Sequence, residues 1–294
     1  MNAVQGNVQS HFSNLEQGLQ GLRQILASPV PNWHDVGATT RAQSRATVIA
    51  YSPLVETRAD IPEYFDSVEE QADWYRKSVD AMVKSGQGDP SDYDLSDLGS
   101  EIYNLDANNL PYPVNGTGPF APLWLMTPPP LSASTVHYNL LDHDMGQVDQ
   151  LNQTRTAFFS RLLLPGDAPD FIDMVLPEDS QSDGTGPHSI YWVPVLMDPY
   201  GDETKMVGYL TAYLTWDQYV LHLLPQNIDQ GIVCVIRNSC EQAATYEVVG
   251  NTVSTARIAL PWLLISVPQP QLTPVFTGEL SWSWRSSRHT IRCH

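Results

Sequence analysis

Between Val4 and Leu26 the apolar residues Val4, Val8, Phe12, Leu15, Leu19, Leu22 and Leu26 follow one another at intervals of 4, 4, 3, 4, 3 and 4. Alternating threes and fours return a side chain to the same face of a helix, so this spacing predicts one long N-terminal helix with a single apolar stripe. Gln, Asn and Ser occupy its other faces, as they do beside the seam of a coiled coil. Gly6, Gly18 and Gly21 each withdraw up to about 1 kcal/mol of helix stability relative to Ala, so packing must hold the helix together. The stripe has two uses: a homodimer through residues 4–26 that carries a signal, or packing on the chain's own domain. Pro29 and Pro31 end the helix.

Composition narrows the class of protein. The chain has 294 residues, 42% of them hydrophobic, which is enough to bury a core. Its 33 acidic residues against 15 basic ones give a net charge of −18. Such a surface repels phosphate backbones and anionic headgroups, which excludes nucleic acid as a partner. Few charges with 23 Pro, 8 Trp and 13 Tyr suit a secreted or cell-surface region. Residues 1–20 lack the basic start and apolar stretch of a secretory signal. The longest apolar run, Ala259–Val267, has nine residues and a proline, against the roughly 20 that a membrane helix needs. The chain reads as a soluble protein or as a piece of a longer one.

Beyond the first helix, RATVIAYSPLV (45–55) is an apolar run broken by Pro53, and Glu63–Val83 reads as a second amphipathic helix. Two short strands are expected around Glu101–Leu105 and Phe120–Met126, and a third helix over Met145–Leu164, ending at Pro165-Gly166. His188–Met197 and Lys205–Trp216 flank DPYGDE and predict a hairpin, followed by a short helix over Trp216–Leu224. Gly231–Arg237 and Ala243–Val249 predict a second hairpin. From about Ala256 the character changes to a linker-like PQPQLTP and a basic, aromatic ending, SWSWRSSRHTIRCH.

No chemistry-bearing motif stands out. GxxxxGK[ST], Gly-x-Ser-x-Gly and HExxH are absent, and the eight histidines show no i, i+4 pair. Asp142 and Asp144 resemble the start of a calcium loop, but the Gly and terminal Glu are missing, so capping is the better reading. No cofactor or metal is called for. Cys234 and Cys240 either bridge a hairpin in an oxidising compartment or stay as two thiols, and Cys293 has no partner in the pattern. Asn115-Gly-Thr and Asn152-Gln-Thr are N-glycosylation sequons that chance alone would supply. Trp124, Tyr138, Tyr191 and Trp192 lie on or beside predicted strands, near Asn139 and His188. They are either the aromatic wall of a small-ligand pocket or ordinary core.

An ordered set of motifs adds a resemblance. GPFAPLWLMTPPP (Gly118–Pro130) followed by VHYNLL (Val136–Leu141), QTRTAFFSRLL (Gln153–Leu163), PHSIYWVPVLMD (Pro187–Asp198), KMVGYLTAYLTWDQYVLHLLP (Lys205–Pro225), GIVCVIRNSCEQAATYEVVG (Gly231–Gly250) and, upstream, VIAYSPLVETRADIPEYF (Val48–Phe65) resemble the extracellular CHASE-like and Cache-like sensor region of algal, diatom-type receptor nucleotide cyclases. The resemblance spans roughly residues 1–250. It implies an α+β fold in which a long N-terminal helix precedes two PAS-like antiparallel-sheet lobes. It also implies a division into a signalling helix (1–30), a membrane-distal sensor lobe (31–170), a membrane-proximal PAS-like lobe (171–255) and an unmatched tail outside the fold (256–294). The function implied is extracellular sensing of a small ligand, non-catalytic in this chain, with output through an absent cytosolic adenylate or guanylate cyclase. Membrane attachment would come only from segments this chain lacks. No residue resembles the metal-binding aspartates or purine-binding pair of a cyclase. The other readings are a soluble small-molecule-binding protein, a non-signalling fragment, and, with no nucleophile constellation behind it, a hydrolase.

Overall fold

The computed structural model describes residues 2–25, 33–69, 73–86, 88–93, 101–106, 110–131, 135–160, 163, 187–197, 205–221, 232–237, 242–249, 252–260 and 263–266. The fold is α+β. The heart is an antiparallel sheet of five strands in the order β4-β1-β7-β6-β5, formed by β1 (Val48–Pro53), β4 (Leu125–Thr127), β5 (Phe158–Phe159), β6 (His188–Leu196) and β7 (Met206–Thr215). β2 (Tyr103–Leu105) and β3 (Pro111–Pro113) make a separate two-stranded ribbon. A second antiparallel sheet, in the order β11-β10-β9-β8, joins β8 (Ile232–Arg237), β9 (Ala243–Val249), β10 (Thr252–Leu260) and β11 (Leu263–Ser266).

Strand alternation gives the central sheet two apolar faces. Ile49, Tyr51, Tyr191, Val193, Leu210, Ala212 and Leu214 point one way, and Val48, Ala50, Ile190, Trp192, Tyr209 and Tyr213 the other. The first face is covered by α1 (Asn2–Ile25), α2 (Trp33–Ser44) and α4 (Asp73–Lys84). Leu15, Leu19 and Leu22 of α1 are fully buried there, each contributing about 2 kcal/mol of burial. These three stripe residues are therefore spent on the chain's own core. The α1–α2 crossing explains one helix-weakening glycine. A Cβ on Gly18 would sit 2.8 Å from Thr40 Cγ2, so only glycine lets the two helices approach this closely. The Trp33 indole, buried at the start of α2, donates to the Met126 carbonyl at 3.0 Å and ties that helix to β4. The second face is covered by α5 (Leu141–Thr154), through Val148 and Leu151, and by the Ala121–Leu123 and Tyr138–Leu141 segments.

Five expectations need correction. β6 and β7 pair with β5 and with β1, so a lobe boundary at 170/171 would cut through one sheet. The buried cluster on the helix-covered face also continues through Trp216, Tyr219 and Val220 of α6 (Trp216–Leu221) to Ala244, Tyr246 and Val248 of β9. Residues 256 onward are not wholly outside the fold. β10 runs through Ala256 to Leu260 and β11 pairs with it as far as Ser266, because TVSTARIAL keeps a strand-forming content that the change in composition obscures. The helix expected over Met145–Leu164 is α5, which stops at Thr154 with Arg155 in a left-handed cap (φ 54°), leaving Phe158 and Phe159 free to join β6. The single helix expected over Glu63–Val83 is two, α3 (Ile61–Glu69) and α4. The strand expected over Phe120–Met126 is reduced to β4 and isolated bridges at Phe120 and Pro122, since prolines 119 and 122 bring no amide N–H to a ladder.

Candidate functional site

The four aromatic residues picked from sequence do not share one wall. Tyr191 and Trp192 alternate across β6: Tyr191 faces the helices and lies 4.4 Å from Phe159, ring centre to ring centre. Trp192 faces the other way, between Phe158 and Tyr209. Tyr138 is buried on the Trp192 side, against Tyr103. Trp124 packs on the opposite side, beneath α3. Asn115 is exposed in the turn before Gly116, and Asn152 is exposed in the last turn of α5. Cys234 lies on β8 opposite Tyr246, and Cys240 falls outside the described residues, as does Cys293. Asp142, His143 and Asp144 form the first turn of α5. Among the described residues no group of His, Cys, Asp and Glu is placed to hold a metal ion.

What the fold does bring together is an aromatic cluster around His137, a residue that sequence reasoning passed over as one of eight scattered histidines. Its construction starts at the turn before α3. Asp60 accepts from the Thr57 N–H (2.9 Å) and hydroxyl (2.8 Å), and Pro62 follows in the first turn of the helix. Arg58 fastens this turn to the 114–117 segment, its amide donating to the Thr117 carbonyl (3.1 Å) and its guanidinium to the Val114 carbonyl (3.0 Å). Gly118 is required next to it. Its φ is +99°, and a Cβ there would lie 2.5 Å from the Glu56 carbonyl oxygen. With that close approach, Val55 and Phe120 exchange both backbone hydrogen bonds, and Trp124 donates its amide to the Tyr51 carbonyl at 3.1 Å.

The 120–124 and 136–140 segments then lie side by side. His137 donates its amide to the Leu123 carbonyl (2.7 Å), Leu123 to Tyr138 (2.8 Å) and Leu140 to Ala121 (3.0 Å), while the Asn139 side chain accepts from the Ala121 amide (2.8 Å). This ladder holds His137 with φ +76°, a left-handed conformation that is uncommon outside glycine and, for a buried side chain, a mark of local strain. α3 lays Tyr64 and Phe65 over it. The Tyr64 hydroxyl and His137 Nδ1 are 2.7 Å apart. Phe65 and Tyr64 meet the imidazole edge-on at 5.0 and 5.6 Å, and Tyr64 meets Trp124 edge-on at 6.3 Å. Tyr51, on β1, lies 6.2 Å from Trp124.

Electrostatically the cluster is neutral. Burial pushes the His137 imidazole down to about 4, and burial with the neighbouring Tyr51 pushes the Tyr64 phenol well up. Two buried nitrogens in the cluster, His137 Nε2 and Trp124 Nε1, find no hydrogen-bond partner in the protein. Such groups cost about 1–3 kcal/mol each when left unmade. The signal that could have found this site was present: VHYN, GPFAPLW and ADIPEYF are three of the motifs that carry the resemblance, and the fold brings all three to His137.

No family model, no curated protein and no solved structure matches this chain.

Proposed function

We propose that this chain is a ligand-sensing domain, non-catalytic in itself, that receives a small molecule at the His137–Trp124 cluster. The observation that carries the reading is the pair of partnerless buried nitrogens within one neutral aromatic cluster. Aromatic walls with a few convergent polar groups are how proteins hold small ligands, and a strained residue at the centre is where function is commonly found. The motifs that resemble receptor cyclase sensors meet at the same place, which supports the narrower reading: the extracellular sensor of a receptor-type nucleotide cyclase, whose ligand favours one of two arrangements by differential affinity. Among the described residues no helix is long and apolar enough to cross a membrane, so attachment would rest on further segments. A homodimer through residues 4–26 could not use Leu15, Leu19 and Leu22, which are already buried in the chain's own core.

A small-molecule panel read by thermal unfolding tests the sensing reading. At a hundredfold excess over its Kd a true ligand adds about 2.7 kcal/mol of stability, and Trp124→Phe should reduce that gain. A broad panel in which no compound stabilises the wild type more than the variant would overturn the proposal. Sequencing of the complete transcript tests the receptor reading, which requires a membrane span and a cyclase domain in the same frame.

A further inference from the structure

We infer that the His137–Trp124 cluster, taken as the ligand site proposed above and resting on that reading, receives a neutral hydrogen-bond acceptor: a carbonyl oxygen on a flat apolar body.

The proton between Tyr64 and His137 fixes the polarity of the cluster. If the phenol donates to Nδ1, the imidazole keeps its own proton on Nε2, and one polar group, Nε2–H, is left without a partner. If Nδ1–H donates instead, both the phenol proton and the bare Nε2 are left over. Each buried orphan carries a penalty of about 1–3 kcal/mol, so the first arrangement wins by one group. His137 Nε2 is therefore a donor. Trp124 Nε1 is a donor in any state.

Both unpartnered groups are N–H donors on rings that touch the same Tyr64 ring, and this selects the ligand chemistry. Aromatic clusters take ammonium ions through ring faces, but two N–H donors that need an acceptor are ill matched to a cation, which accepts no hydrogen bond. An anion would satisfy the donors, yet no cluster member carries a positive charge at neutral pH to offset its desolvation. A neutral carbonyl satisfies the donors without bringing a charge. The rings of Tyr51, Tyr64 and Phe65 supply apolar faces for the rest of the molecule.

The test uses the full chain and three probes that share a phenyl body: acetophenone, benzoate and benzylammonium, titrated by ligand-observed NMR. Acetophenone should bind tightest, and Trp124→Phe and His137→Asn should each weaken it by roughly tenfold, the value of one lost hydrogen bond of about 1.4 kcal/mol. In parallel, side-chain nitrogen NMR of the wild type should show His137 protonated on Nε2, a readout that needs no variant to fold. Benzoate or benzylammonium as the tightest probe, or a proton on Nδ1, would overturn the neutral-acceptor assignment and leave the site reading standing. Failure of all three probes to bind would mean that the cluster is closed core, and would overturn the site reading together with this inference.

Discussion

Acid should destabilise this protein through His137 by a calculable amount. The imidazole is fully buried and burial lowers it from an ordinary value of 6.5 to about 4. Between those two values the unfolded chain takes up a proton that the folded chain refuses. The stability that depends on a neutral His137 is therefore complete above about pH 6.5 and is lost as pH falls toward 4, at about 1.4 kcal/mol per pH unit, or about 3 kcal/mol in total. The loss is the cost of charging an imidazole shut away from water, since Tyr64 is itself neutral throughout and no carboxylate belongs to the cluster. Other carboxylates and histidines titrate over the same range, so the assay must subtract them. His137→Asn is the right reference. Asn tolerates a left-handed backbone, its Oδ1 can accept from the Tyr64 hydroxyl, and it does not titrate. Urea unfolding followed by tryptophan fluorescence, repeated at steps from about pH 7 to about pH 4, should show the wild type losing about 3 kcal/mol more than His137→Asn. Parallel stability curves for the two proteins would refute the buried, neutral imidazole on which the reasoning rests.

Packing sets two further outcomes. Leu19→Ala removes a side chain with no exposure and should cost about 3 kcal/mol in urea unfolding, whereas Leu110→Ala, at a site 60% exposed, should stay within about 0.5 kcal/mol. Gly118→Ala forces a Cβ to within 2.5 Å of the Glu56 carbonyl at a φ of +99° and should cost at least about 2 kcal/mol in the same unfolding assay, weakening any ligand response along with stability.

The elements legible in the sequence were those set by local pattern. The β6–β7 hairpin showed itself through two long apolar runs around an acidic Pro/Gly loop, and β8 and β9 through β-branched runs around Asn238-Ser239-Cys240. The apolar stripe of α1 was equally clear, because Leu15, Leu19 and Leu22 keep one face. β1 was harder: its residues are buried on both faces, so Val48-Ile49-Ala50-Tyr51 shows no alternation, and Pro53 hid that it is an interior strand of the sheet. α2 escaped notice because Trp33–Ser44 has little apolar periodicity; it is held by Trp33 and by close contact with α1. The site was the least legible part. His137 does nothing recognisable within its own segment, and only pairing across long loops brings Tyr64, Phe65 and Trp124 to it. Reading Trp124, Tyr138, Tyr191 and Trp192 as one wall failed for a simple reason, since neighbouring strand residues face opposite ways.

The strand order also sets a timetable for the ribosome. β1 emerges early, yet its long partner is β7, and the side chains of Thr47 and Thr215 that meet beside this pairing are 168 residues apart. At about 5–20 residues per second, a nascent chain carries Val48-Ile49-Ala50-Tyr51 for roughly 8–30 seconds before that partner exists. Helices α1 and α2 are made before β1, and α4 within that interval, all with no completed sheet on which to lay their buried residues. The protein therefore gains most of its stability late and nearly at once, and long-range pairing of this kind folds slowly. Until β7 leaves the ribosome, the newborn chain displays an apolar strand whose β7-facing edge is open, the sort of surface that chaperones hold and that other unfinished copies of the same chain can capture.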